Sequence, residues 1–166
     1  MKRVLTLISL SLVLILLVAN VSMAAEEQTV TVNPFGLLFG IFNATYEKSL
    51  HHQNSFLING SYLSWEILGD KITAFGVGGG YRQYLGGEDF SGFFGQGTAG
   101  VVFASAPGVS TTGANVVGLV GFKWIFNHGF TVEAGAGGQM IFGKLEGYSS
   151  WSGFSPALML SLGYSW

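Results

Sequence analysis

The chain has 166 residues, 49% of them hydrophobic and only 10% charged, with a formal net charge of −2 and no cysteine. That balance excludes a basic stripe for nucleic acid, a disulfide framework and a lipoprotein acylation site. A chain this apolar, with no helical-span run beyond its first residues, must bury its surface in strands, and in lipid only a closed barrel of strands satisfies every backbone group.

Lys2 and Arg3, the apolar run 4–18 and the small residues Ser22 and Ala24 predict a secretory signal peptide, residues 1–24, cut after Ala24. The alternative, a membrane anchor, has a short run followed by Glu26 and Glu27 rather than a basic flank. Cleavage leaves 166 − 24 = 142 residues, one β-barrel domain over 25–166, with charge 5 − 9 = −4.

In residues 28–48, Asn33-Pro34-Phe35-Gly36 is a credible turn dividing 29–32 from 37–48. The rival is a single long strand kinked at Pro34. A polar turn at 49–54 holds His51 and His52. Residues 55–68 then alternate, with Phe56, Ile58 and Tyr62 on one face and Asn59 and Ser61 on the other. Gly69-Asp70 turns this strand into the next.

Over 71–85, Phe75, Val77 and Tyr81 oppose Ala74, Gly76, Gly78, Gly80, Arg82 and Tyr84. The tiny residues leave room for Arg82 inside, with Glu47 or Glu133 to neutralise it; alternatively Arg82 sits near the rim, in water beside the turn 86–89. Residues 92–105 put Phe93, Val101 and Phe103 outward and Gln96, Thr98 and Gly100 inward. Residues 114–126 and 130–142 form a hairpin about Asn127-His128-Gly129, with glycine where a positive φ is expected. If Phe126 opposes Phe130, Lys123 opposes Glu133 on the face away from the aromatics, a matched charge pair in a dry interior. Residues 155–166 alternate again, with Leu158, Leu160, Leu162, Tyr164 and Trp166 on one face and Ala157, Met159, Ser161, Gly163 and Ser165 on the other.

With an even strand number expected, this pattern predicts an all-β fold: an eight-stranded antiparallel up-and-down transmembrane β-barrel. An edge strand of a soluble sandwich is a poorer reading of the last segment, because it would expose a contiguous apolar patch.

The runs Val32 to Gly40 with Tyr46-Glu47-Lys48, Gly80-Tyr81-Arg82-Gln83-Tyr84, Gly92-Phe93-Phe94 and Gly121-Phe122-Lys123-Trp124-Ile125-Phe126 resemble an uncharacterised family of small bacterial outer-membrane barrels. That family is similar in architecture to OmpX and the OmpA transmembrane domain. The resemblance spans most of the mature chain and implies a fold and a location, with no catalytic residue. Leu162, Tyr164 and Trp166 also resemble the C-terminal signal read by the barrel-assembly machinery.

Outer-membrane barrel hydrolases and acyltransferases need a serine activated by histidine and an acid. His51, His52 and His128 lie in polar turns with no such partner at a suitable spacing, and the adjacent pair would point oppositely if extended, so neither an enzyme nor a metal or cofactor site is expected. The expected role is structural or surface-interacting in the outer membrane of a two-membrane envelope. Its lumen is largely filled by side chains, its partners are lipid and the assembly machinery, and its loops 107–113 and 147–154 lie outside the cell. A narrow pore or carrier for a small apolar solute is one alternative. The other is a secreted lipocalin-like barrel, which would keep the Lys123 and Glu133 face wet and close the aromatic face around a ligand.

Overall fold

The computed structural model describes residues 27–166 apart from 39, 52, 68–69, 87–89 and 146–150; the expected signal peptide lies outside them. Eight antiparallel strands close in chain order into a barrel: β1 (Gln28–Val32), β2 (Ile41–His51), β3 (Asn54–Ile67), β4 (Asp70–Tyr84), β5 (Gly92–Ala106), β6 (Val109–Ile125), β7 (Phe130–Leu145) and β8 (Trp151–Ser165). The fold is all-β and up-and-down, with β1 paired to both β2 and β8.

The period of two decides what lies inside. Phe75, Val77, Tyr81, Phe93, Phe103, Val116, Val120, Trp124, Phe130, Phe142 and Leu158 are all exposed on the outer wall, whereas Glu47, Arg82, Lys123 and Glu133 are buried within it. Around these charges the polar face is therefore dry, while the aromatic face is open, the reverse of a lipocalin-type arrangement.

Residues 28–48 supply two strands, and the connection between them is a short helix, α1 (Pro34–Leu38), rather than a four-residue turn. The local chemistry explains this. Asn33 Oδ1 accepts the amides of Phe35 at 2.9 Å and Gly36 at 3.0 Å, which caps the helix start. Pro34 takes the first helical position, where its missing N–H costs nothing, and Gly40 at φ +71° lets the chain leave.

The hairpin about Asn127–Gly129 has the expected register, with Lys123 opposite Glu133, and His128 (φ 67°) and Gly129 (φ 79°) both left-handed. The expected loop 107–113 is replaced by a two-residue turn at Pro107-Gly108. Val109 to Thr112 pair with Ala106 to Phe103, because their β-branched and hydroxyl side chains suit the ladder and Pro-Gly alone can reverse the chain. Of the other expected loop, 147–154, residues from Trp151 onward belong to β8 and 147–150 lie outside the described residues.

The end of the barrel that holds Gln28, Trp166 and the turns 85–92 and 126–130 is called the base, and the opposite end the mouth. Among the described residues, every buried side chain large enough to fill space, Leu37 apart, lies in the basal half, including Arg82, Tyr84, Phe94, Lys123, Leu57 and Glu133.

Candidate functional site

The basal lumen is built by inward positions of strands around the whole barrel. β2 contributes Glu47, β3 Ser55, β4 Arg82 and Tyr84, β5 Phe94 and Gln96, β6 Lys123, and β7 Thr131 and Glu133. Glu47 is the hub. Its Oε2 accepts Arg82 Nη1 at 2.8 Å and Lys123 Nζ at 3.0 Å, and its Oε1 accepts the Tyr84 hydroxyl at 2.7 Å and the Ser55 hydroxyl. Arg82 reaches the other carboxylate as well, with Nη1 2.6 Å from Glu133 Oε1 and Nη2 3.3 Å from Oε2. Its Nε and Nη2 donate to Gln96 Oε1 at 3.0 and 2.7 Å.

Two cations therefore meet two carboxylates, and the cluster is formally neutral. Neutrality matters because every member is nearly inaccessible, from 0% exposure for Lys123 to 2% for Glu47 and Glu133. An isolated buried ion costs several kcal/mol even after relaxation, so such a cluster survives only with its hydrogen bonds filled.

Aromatic rings close the cluster. The Arg82 guanidinium lies 4.0 Å from the Phe94 ring centroid, and the Lys123 ammonium lies 3.5 Å from that of Phe90. Tyr84, Phe90 and Phe94 pack together, with Ile125 and Met159 against them. Gly121 makes this stacking feasible, since a Cβ there would come within 2.6 Å of Phe94 Cζ. Phe90 is held at φ 71°, a conformation an aromatic rarely takes, and its ring is folded inward from the β4–β5 loop. At the seam, Lys123 Nζ donates to Thr29 Oγ1 at 2.7 Å, and hydroxyl contacts run from Thr29 through Ser165 to Thr131.

The four charges expected inside, Arg82, Lys123, Glu133 and Glu47, all belong to this network. Arg82 neutralises both carboxylates rather than one, and it is buried rather than wet at the rim. Lys123 and Glu133 are cross-strand neighbours, but the ion pairs among the described residues are Arg82–Glu47, Arg82–Glu133 and Lys123–Glu47. The expected pairing of Lys123 with the residue beside it is corrected to one across the barrel, because long side chains span a narrow lumen and Glu133 is already held by Arg82. Parity already marked Tyr84 and Gln96 as inward. The role of Phe90 had no signal, because a loop residue has no face.

Leu162, Tyr164 and Trp166 line the outer edge of β8 beside the seam. Trp166 stacks on Tyr164 at 6.3 Å between centroids, and its backbone exchanges hydrogen bonds of 2.9 and 3.0 Å with Gln28. Of the histidines, His128 sits exposed in the basal turn and His51 ends β2, while residue 52 lies outside the described residues.

The lumen at the mouth is different. Many of its inward residues are small or polar, and Ser61, Ala74, Val102, Asn115, Gln139 and Ala157 remain half-exposed although they face inward. A cavity of about 310 Å³ opens among β5, β6 and β7, lined mainly by Val102, Ala104, Asn115, Gln139 and Ile141. The chain thus has a plugged base and an open cup. Compared with protein-family models, curated proteins and solved structures, it matches none.

Proposed function

We propose that the chain is a small outer-membrane β-barrel with a structural role, surrounded by lipid and delivered by the barrel-assembly machinery through its C-terminal Leu162, Tyr164 and Trp166. The observation that carries this reading is the inversion of the two faces. Aromatic and aliphatic side chains cover the outer wall in every strand from β3 to β8, while paired charges occupy the interior. In water that outer wall would be a large exposed apolar surface; in lipid it is the surface that solvates the barrel.

The neutral plug argues against a through-pore, because its side chains pack across the basal lumen and leave its charges almost inaccessible. The short Pro107-Gly108 turn leaves little loop at that point for gripping a partner, which favours the structural role over a surface-interaction one. We place the base toward the periplasm and the mouth outside. A periplasmic C-terminus requires this arrangement.

The test is fractionation combined with gel mobility before and after boiling. The protein is expected in the outer-membrane fraction, with a compact unboiled form that slows or shifts on heating. A protein recovered soluble from the periplasm would overturn it. The cavity at the mouth favours a second reading, a carrier for a small apolar molecule, since about 300 Å³ is the lower end of the usual range for ligand pockets.

A further inference from the structure

The barrel wall is complete at the base and incomplete at the mouth. β1 pairs with β8 only from Val32↔Leu162 to Thr29↔Ser165, although β8 begins at Trp151. On its other side β1 meets β2 only as far as Val32↔Ala44. Towards the mouth, residues 151–161 of β8 therefore face a notch with no ladder partner on that side among the described residues. The helix α1 lies there, packed against both β2 and β8.

The sequence of β8 is adapted to this edge. In an antiparallel ladder a residue directs its N–H and C=O to the same side, and the side alternates along the strand. Trp166 directs both groups to Gln28 of β1. The β7–β8 register runs without a bulge, so the even positions of β8 face the β1 side, and one of them within the notch is Pro156. A proline has no N–H to leave unsatisfied and is confined to such edges. The outer lip of the notch is apolar, with Leu158 83% and Phe154 74% exposed on β8, and Leu38 and Phe35 exposed on α1. Leu37 alone of the helix is buried. Inside, the β8 positions between the notch and the cavity are Gly153, Ser155 and Ala157, with Ser155 accepting a 3.0 Å hydrogen bond from Gln139 on the cavity wall. Among the described residues, no charged side chain lines that cavity.

We propose that this notch is a lateral portal, with α1 as its plug, through which one hydrocarbon chain of a bilayer amphiphile enters the lumenal cavity at the mouth. The proposal rests on the membrane reading above. The apolar lip meets the acyl region of the bilayer, Leu37 withdraws from the notch, and the chain lies against Val102, Ala104 and Ile141. Asn115 and Gln139 stay beside it, near the water that fills the mouth. The plugged base stops the chain from passing through.

The test uses the mature protein refolded into phosphatidylcholine vesicles containing a trace of palmitic acid with a terminal diazirine, irradiated and mapped by mass spectrometry. Adducts are expected on Val102, Ala104 or Ile141. Ala104→Trp, which fills the cavity, should reduce these to background; Ile141→Trp serves if that variant does not fold, as judged by gel mobility before and after boiling. Leu37→Ala should raise the initial rate of lumenal labelling severalfold. Adducts confined to outward residues such as Phe93, Val120 and Leu158 would overturn the proposal while supporting the membrane reading. Lumenal labelling with a rate indifferent to Leu37→Ala would overturn the lateral route. Protein left in the aqueous fraction would overturn the membrane reading and this inference with it.

Discussion

The two halves of the barrel share their strands, yet they solve the interior differently. At the base, long side chains from β2, β4, β6 and β7 cross the lumen and satisfy one another, and hardly any of their surface is accessible. At the mouth, the same inward parity carries serine, alanine, glycine and asparagine beside Val102 and Ile141, and the space is left open. The difference teaches that closing a barrel does not fill it. Hydrogen bonding between strands makes the wall, while the choice of inward residues decides whether the wall surrounds a core or a cavity.

That contrast should be visible in stability. The largest loss is expected at Arg82, which holds both carboxylates. Arg82→Leu leaves two buried negative charges around a single lysine and should cost about 3–5 kcal/mol in urea unfolding from lipid vesicles. Arg82→Lys should recover little of this, because a point charge cannot reach Glu47, Glu133 and Gln96 together. A mild effect would mean that the plug is not a cooperative unit.

Next in size is the outer wall. Leu160→Arg places a charge on the lipid side of β8 and should cost about 2–4 kcal/mol if the position lies at the bilayer midplane. Ser161→Thr, one residue on and facing inward, should cost far less. Equal tolerance at both positions would remove the distinction between the faces.

A smaller effect separates contact from mere adjacency. The double-mutant cycle of Lys123→Met with Glu47→Gln should give a coupling of about 1–3 kcal/mol. The cycle of Lys123→Met with Glu133→Gln should give less, although those two residues are cross-strand partners. The reverse order would restore the adjacent pairing. The smallest effect belongs to the mouth, where Ser61→Ala should change stability by no more than about 0.5 kcal/mol, since its half-exposed hydroxyl supports no packed core.

From residue 55 onward strand parity is legible, because alternation with a period of two is printed in the residues: the closing run from Leu158 to Trp166 and the 123–133 register can be read directly. Arg82, Lys123 and Glu133 follow from the same parity, whereas Glu47 enters only as a partner that could neutralise Arg82. Their partners do not, since parity says which way a side chain points and nothing about how far it reaches across the lumen. The helix α1 is not legible although Asn33, Pro34 and Gly40 each carry a helix-boundary signal, because five residues are too few for a periodic pattern. Phe90 was out of reach for a different reason: its place depends on a left-handed backbone in a loop, fixed by the ring packing it makes once the barrel exists.

Three neighbouring positions of β8 sample the three environments: Leu158 outward, Ala157 inward at the mouth and Ser161 inward at the base. The chain has no native cysteine, so single-cysteine variants at each position carry one reactive group. In vesicles, a water-soluble maleimide should label Ala157→Cys readily and leave Leu158→Cys and Ser161→Cys largely unlabelled, the first shielded by lipid and the second by the plug. Detergent that strips lipid without unfolding the barrel should expose Leu158→Cys, while Ser161→Cys should react only on unfolding. Fast labelling of Leu158→Cys in intact vesicles would contradict the central claim that the aromatic wall meets lipid.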